Sequence, residues 1–484
     1  MPRRPGFKIT CQHYSAVWTS ARSSIRCADF VSLTVFLHRR LLMKMRMMMR
    51  QHPSHLCRCH TLLLGWLYLW GGWLATTTNA VEFIQQDVVG DTGTSTQIHR
   101  VAVTPGGNIL AAGDRALVEG YRTGLSSRQW FYGNFLGQWG DIQAIATGVL
   151  LGAGLDVVAA QIPPSSSDGA LLLLPSPLPN ELATSKVLIP ASTQLGSYQV
   201  NGIMAHDVKI VDWNKDGKLD ILACMTGTVT GQTKPTGWLV LLLQEIGGTF
   251  STITPLAEIG GIGRMDVADI DNNGWADVAV LGITTQQLWV VWHNADQTTS
   301  TALIDGPQTD ELVFAVAVGP LHANAYKTLD IVVVGTLHVF TYVQGNPRSF
   351  NKFTLIVILP EHKTFDFRTW QVQLADMNQD GLTDIVMIYG LQNNIMWSEQ
   401  SAGNIMGYSQ PLAVVTEPDS FYLFDLNGDG RLDIATHSAD TGYLRALYNT
   451  YSTPSPNQMP VIMMPVMPVH QPVQAPKQMP VYRN

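Results

Sequence analysis

Short apolar runs recur along this chain at a fixed position relative to short polar loops. Residues 221–223, 278–280, 385–387 and 434–436 each follow directly on an aspartate: Asp220, Asp277, Asp384 and Asp433. The runs are too short for helices and mostly β-branched or aliphatic, so each predicts a strand. A second apolar run with aromatics follows at 238–243, 288–292, 337–342, 395–397 and 443–448, and a more variable one at 250–255, 353–359 and 411–415. No long segment of 3.6-residue period lies between them. The pattern predicts an all-β chain built from one repeated four-stranded unit.

The spacing counts the units. The interval from Asp277 to Asp384 is twice the others, and a weaker copy fills it at Leu329 and Asp330. Two more weak copies lie upstream, at Leu155 and Asp156 and at 104–112. Seven units result, spaced about 47 to 64 residues apart. Four strands per unit at this period predict a seven-bladed β-propeller over residues 81–450. The seventh unit ends near Tyr448 without an outer strand. Residues 81–89 are placed to supply it, so the ring is expected to close with the N-terminal strand.

Four of the seven units carry an acidic loop of the form D-x-[DN]-x-[DN]-G-x-x-D. The loops contain Asp212, Asn214, Asp216 and Asp220; Asp269, Asp271, Asn273 and Asp277; Asp376, Asn378, Asp380 and Asp384; and Asp425, Asn427, Asp429 and Asp433. Calcium takes six to eight oxygens at about 2.3–2.6 Å, and oxygens at alternate positions of a curled loop converge on one point. The glycine at position 6 allows the sharp turn. The backbone carbonyls at position 7 (Lys218, Trp275, Leu382 and Arg431) would add an oxygen to each shell, and the aspartate at position 9 would close it. A metal-free alternative is a set of Asx turns, in which Asp and Asn bind their own backbone.

The loops with their strand flanks resemble the FG-GAP/VCBS repeats of integrin α-subunit heads and related extracellular propellers. The resemblance is specific at four units and weak at three. It implies about four structural Ca²⁺ sites, with the loop residues named above as ligands, and partners bound on other surfaces. The resemblance is to the propeller head alone, so a full integrin role is not expected.

Composition adds a compartment. Residues 1–80 hold eleven Lys/Arg and one Asp, and their apolar segment at about 62–75 reads as the core of a secretory signal peptide. Residues 1–42 are unlike a signal sequence, and Met43 or a nearby methionine is the alternative start. The expected product is secreted or at the cell surface; an uncleaved segment would instead anchor it to the membrane. Taking this leader from the 30 basic and 37 acidic residues of the chain leaves 19 and 36, a formal charge of −17. That balance, with no basic stripe, argues against a nucleic-acid partner. Four cysteines fall in the leader, and Cys224 sits in an apolar run as a buried thiol. No N-glycosylation sequon occurs. Residues 451–484, rich in Pro, Met, Val and Gln, predict an extended tail with no fold of its own.

The function this supports is a calcium-stabilised, non-catalytic binding or adhesion scaffold for an extracellular protein or glycan. Trp130, Trp139, Trp370 and Trp397 are candidates to stack on sugars. The competing readings are a lectin, or a carbohydrate-active enzyme of the polysaccharide lyase kind, for which His206, Asp207, His362, Asp366, Glu417 and Asp419 are the scattered acid–base candidates. A catalytic constellation at useful spacing is not legible.

Overall fold

A computed structural model describes residues 81–450, apart from 82, 90–97, 105, 122–130, 152–155, 164–168, 175–185, 307–311, 358–369, 389–393, 402–404, 408, 416–417 and 439–440. The expected leader with its apolar segment, and the tail, lie outside the described residues.

All regular structure among the described residues is strand. After β1 (Phe83–Val89), blade 1 holds β2 (Ile98–Val103), β3 (Ile109–Tyr121) and the first half of β4 (Phe131–Gly148). The second half of β4 starts blade 2, followed by β5 (Asp156–Ile162), β6 (Gly169–Leu174) and β7 (Lys186–Pro190). Blade 3 has β8 (Ser192–Leu195), β9 (Tyr198–Val211), β10 (Asp220–Val229), β11 (Thr236–Leu242) and β12 (Ile253–Glu258). Blade 4 has β13 (Ile262–Ala268), β14 (Asp277–Gly282), β15 (Gln287–His293) and β16 (Thr299–Asp305). Blade 5 has β17 (Val313–Gly319), β18 (Asp330–Gly335), β19 (His338–Asn346) and β20 (Ser349–Val357). Blade 6 has β21 (Gln371–Ala375), β22 (Asp384–Ile388), β23 (Asn394–Ser398), the small hairpin β24 (Gln400–Ser401) and β25 (Ile405–Met406), and β26 (Gln410–Val414). Blade 7 has β27 (Pro418–Phe424), β28 (Asp433–Ser438) and β29 (Tyr443–Asn449). Against β29, β1 lies antiparallel as the fourth strand, with Phe83 opposite Asn449 and Asp87 opposite Arg445.

The innermost strands neighbour one another in the cycle β2, β4, β9, β13, β17, β21, β27 and back to β2. The core follows from this. It consists of seven apolar clusters, one between each blade and the next. The second strand of a blade is therefore buried on both faces, which explains why its sequence is a continuous apolar run rather than an alternation. In β10, Ile221, Ala223 and Met225 face blade 2 while Leu222 and Cys224 face blade 4. In β18, Ile331 and Val333 face blade 4 while Val332 and Val334 face blade 6. Cys224 is wholly buried, and burial pushes its thiol well above its ordinary value.

The innermost strands surround a channel of about 440 Å³. Apart from the short β8 against the start of β9, no further strand pairs with their inner edges among the described residues, and side chains take that part. The Asp207 carboxylate accepts from the Met265 N–H (2.9 Å), Asp266 from Val318 (2.8 Å), Gln371 from Phe421 (3.1 Å) and Ser420 from Val101 (2.7 Å). Each of these bonds joins one blade to the next.

Candidate metal loops and the face they build

Each acidic loop joins the innermost strand of its blade (β9, β13, β21, β27) to the next (β10, β14, β22, β28), so the four lie on one face of the ring. The four have the same internal bonding. At position 1 the carboxylate takes the N–H groups of positions 5 and 6: Asp212 accepts from Asp216 and Gly217, Asp269 from Asn273 and Gly274, Asp376 from Asp380 and Gly381, and Asp425 from Asp429 and Gly430, with Gly428 as a third. Position 3 (Asn214, Asp271, Asn378, Asn427) accepts from the N–H of position 5. Position 5 (Asp216, Asn273, Asp380, Asp429) accepts in turn from the N–H of Lys218, Trp275, Leu382 and Arg431 at position 7. These nested turns curl the chain so that the side-chain oxygens line its inside. A carboxylate oxygen has further lone pairs, so one N–H bond leaves room for a cation. The turns and the metal reading are thus compatible. Position 6 needs glycine for its φ, which is 82° at Gly217 and 90° at Gly274.

Position 9 is different in kind. Asp220, Asp277, Asp384 and Asp433 are wholly buried. One oxygen of each accepts from the N–H of position 2 (Trp213, Ile270, Met377, Leu426), and the other from the N–H of a residue at the end of the third strand or just past it (Gln244, His293, Gln400, Asn449). Asp330, in the blade without loop carboxylates, makes the same pair of bonds, to His322 and Gln344. Asp156 makes only the loop half of this pattern, with one oxygen accepting from Leu150 and Leu151. In blade 5 the ninth aspartate therefore ties loop to third strand without the other carboxylates.

The residues it holds carry a second link that sequence reasoning missed. The side-chain amide of Gln344 donates to the Ile270 carbonyl (2.9 Å), that of Gln400 to Leu321 (2.5 Å), that of Asn449 to Met377 (3.0 Å), and that of Gln244 to Leu150. Each acceptor is in the preceding blade's loop. In blade 4, His293 takes this place and stacks on the Trp213 ring at 4.3 Å. The sequence signal was partial: an amide closes the third strand in four units, but its distance from the position 9 aspartate varies from 14 to 24 residues.

The donor set fits a divalent cation. Oxygens of Asp269, Asp271 and Asp277 lie within 4.8 Å of one another. Without a cation this crowding has a cost. Burial pushes the Asp277, Asp384 and Asp433 carboxyls up to about 7, against backbone N–H groups that favour the ionised form, and neighbouring loop carboxylates push the same way. A bound cation would reverse that balance. In the blade 4 loop Asp271 already meets a positive group, the Arg348 guanidinium at 2.6 Å, reaching over from blade 5. Two other loops carry their own: Lys218 beside Asp216 at 2.9 Å and Arg431 beside Asp429 at 2.5 Å.

The other candidates separate. Trp370 and Trp397 belong to the clusters between blades 5 and 6 and between blades 6 and 7, Trp370 against Phe314 at 5.0 Å; both are buried and are core residues rather than sugar platforms. Trp130, His362, Asp366 and Glu417 lie outside the described residues, as does the Trp139 side chain. Asp207 is one of the ring stitches, and His206 binds the Thr226 hydroxyl at 2.7 Å. Asp419 pairs with His437 in the interior, far from solvent. The channel holds charge instead: Lys209 binds Asp266 at 3.0 Å, and although burial opposes it, Asp266 and Asp207 hold its ammonium above the ordinary value.

Seven antiparallel blades in a ring, mostly four-stranded, with acidic loops on one face, define a β-propeller. Two regions, residues 212–280 and 376–436, match the family model of the FG-GAP-like repeat. No curated protein matches the chain. Among solved structures, an Agrocybe aegerita lectin described as recognising non-reducing terminal N-acetylglucosamine is similar at 15% identity, over 71% of this chain and 90% of that one, with a TM-score of 0.45. BBS1N, solved in complex with ARL6DN, is similar at 11% identity, over 78% and 99%, with a TM-score of 0.47. A protein from Lactobacillus plantarum is similar at 9% identity, over 67% and 87%, with a TM-score of 0.44.

Proposed function

We propose that the protein is a non-catalytic binding scaffold, secreted or held at the cell surface, whose ring is stiffened by about four calcium ions and whose partners are extracellular proteins or glycans. The observation that carries this reading is how the motif loops are wired. Their side chains bind their own backbone, the ends of their own blade and the next blade's loop, so the motif maintains the ring. Binding then falls to surfaces the motif leaves free. The outer strands offer apolar side chains there: Ile84 on β1, Val187 on β7, Leu303 on β16 and Phe353 on β20 are all exposed.

A calcium titration of thermal stability on the protein, beside Asp216→Ala and Asp380→Ala, tests the metal. At about ten times its dissociation constant each site contributes roughly 1.4 kcal/mol, so the melting temperature rises with calcium in the parent and rises less in each variant. A melting temperature indifferent to calcium refutes the metal part. A glycan array and a pull-down against cell-surface proteins test the partner. Release of unsaturated uronides from a polysaccharide, lost in EDTA, would replace the scaffold with an enzyme.

A further inference from the structure

We infer that the four acidic loops act as two coupled pairs, in which a cation in one loop tightens the other: the loops of blades 3 and 4 form one pair, those of blades 6 and 7 the second. The inference rests on the calcium reading above.

Two links join the members of each pair, and they run in opposite directions. The first starts at position 4 of the earlier loop. Lys215 and Gln379 sit there in the left-handed region, with φ of 59° and 57°. The Lys215 ammonium lies 4.3 Å from the centre of the Trp275 ring, at position 7 of the next loop. The Gln379 amide donates to the Gly430 carbonyl, at position 6 of the next loop, at 2.9 Å. Both contacts fall on the part of the neighbouring loop whose carbonyl is expected to complete the shell.

The second link runs back. His293, whose N–H is held by Asp277 at 2.7 Å, stacks on Trp213 in the earlier loop, and its carbonyl accepts from the Asn273 amide at 2.8 Å. Asn449, whose N–H is held by Asp433 at 2.8 Å, donates its amide to Met377 of the earlier loop at 3.0 Å. Position 9 of the later loop is thus one residue away from position 2 of the earlier one. A cation that orders either loop fixes one end of both links, and its neighbour then has less freedom to lose on loading.

Between the pairs lies the blade 5 loop, which the backward latches also touch, Gln344 donating to Ile270 and Gln400 to Leu321. Asn272 at position 4 of the blade 4 loop, φ 58°, does reach forward, to the Tyr326 carbonyl at 2.9 Å. That loop of blade 5 has no carboxylates at positions 1, 3 and 5, so no cation orders it. Past blade 7, position 4 is Gly428, which has no side chain to reach blade 1.

Hydrogen–deuterium exchange of the full chain across a calcium titration, read on peptides covering each loop, tests the coupling. In Asp380→Ala, calcium no longer protects 376–384, and the calcium midpoint for 425–433 rises about fivefold or more, while 212–220 and 269–277 keep their parent midpoints. Gln379→Ala, which removes no expected ligand, raises the 425–433 midpoint in the same direction. Calcium protection at 425–433 that is unmoved in both variants, or a shift shared equally by all the loops, overturns the coupling and leaves the calcium reading standing. Loops of the parent protein that calcium does not protect at all overturn both.

Discussion

Asp269 and Asp277 stand in one loop and look alike in sequence, yet their surroundings predict different losses. Asp277 is wholly buried and holds the N–H groups of Ile270 and His293. Replacing it with alanine leaves buried donors unpaired, at about 1–3 kcal/mol each. Asp277→Ala should therefore lower the melting temperature with and without calcium. Asp269 caps an exposed turn; Asp269→Ala should mainly remove the calcium-dependent rise. Melting curves of the two variants in EDTA and in calcium check the distinction. His206 gives a pH prediction. Burial, helped by Arg264 and opposed by Asp207, lowers its imidazole from 6.5 to about 4. The unfolded chain binds that proton more readily than the folded one, so stability rises with pH in this window. The contribution is whole above about 6.5 and is lost as pH falls towards 4. Melting temperatures at neutral pH and at about pH 5 should differ less in His206→Gln than in the parent.

Among the elements, the second and third strands of each blade were the easiest to read, because burial on both faces writes an unbroken apolar run. The outer strands were read less accurately. The expected 250–255 is β12 at Ile253–Glu258, and the expected 353–359 is β20, which begins at Ser349. An outer strand buries little of itself, so few positions fix its ends; β12 has no fully buried residue. The shared strand β4, whose halves serve two blades, had no signal in the sequence at all. β1 carries the prediction at this scale. It adds a fourth strand to blade 7, with Val88 in the cluster between blades 7 and 1 and Val81 in that between blades 6 and 7. A chain starting at about residue 95 loses that strand, and its melting temperature should fall by several degrees, since 1 kcal/mol moves a domain of this size by roughly 1–2 °C and the loss is of several kcal/mol. An unchanged melting temperature would mean that the pairing of β1 with β29 adds nothing to stability.

At the scale of the whole molecule, stability is shared around a closed cycle. Seven apolar clusters lie between blades, and polar bonds line both the channel and the loop face. No blade has a core of its own, because each cluster needs both of its walls. Removing one stitch should therefore loosen the ring beyond its own blade. A Gln344→Ala variant should raise exchange at the blade 4 loop, where its amide held Ile270, as well as in blade 5. Exchange confined to blade 5 would show that the blades behave independently.

The sequence alone determined the repeat, its count and its phase. The reason is local: a turn glycine, an Asx-rich loop and a strand buried on both faces each leave a short-range signature, and repetition makes it readable. It also marked the loop residues that belong together. Only the tertiary structure decided what each residue of the motif does. Position 9 became a buried stitch present even in blades without an acidic loop, position 4 became a reach into the next blade, and the amides Gln244, Gln344, Gln400 and Asn449 became latches. Those roles depend on which loop lies beside which, and adjacency around a ring is fixed by packing between blades, which no single repeat encodes.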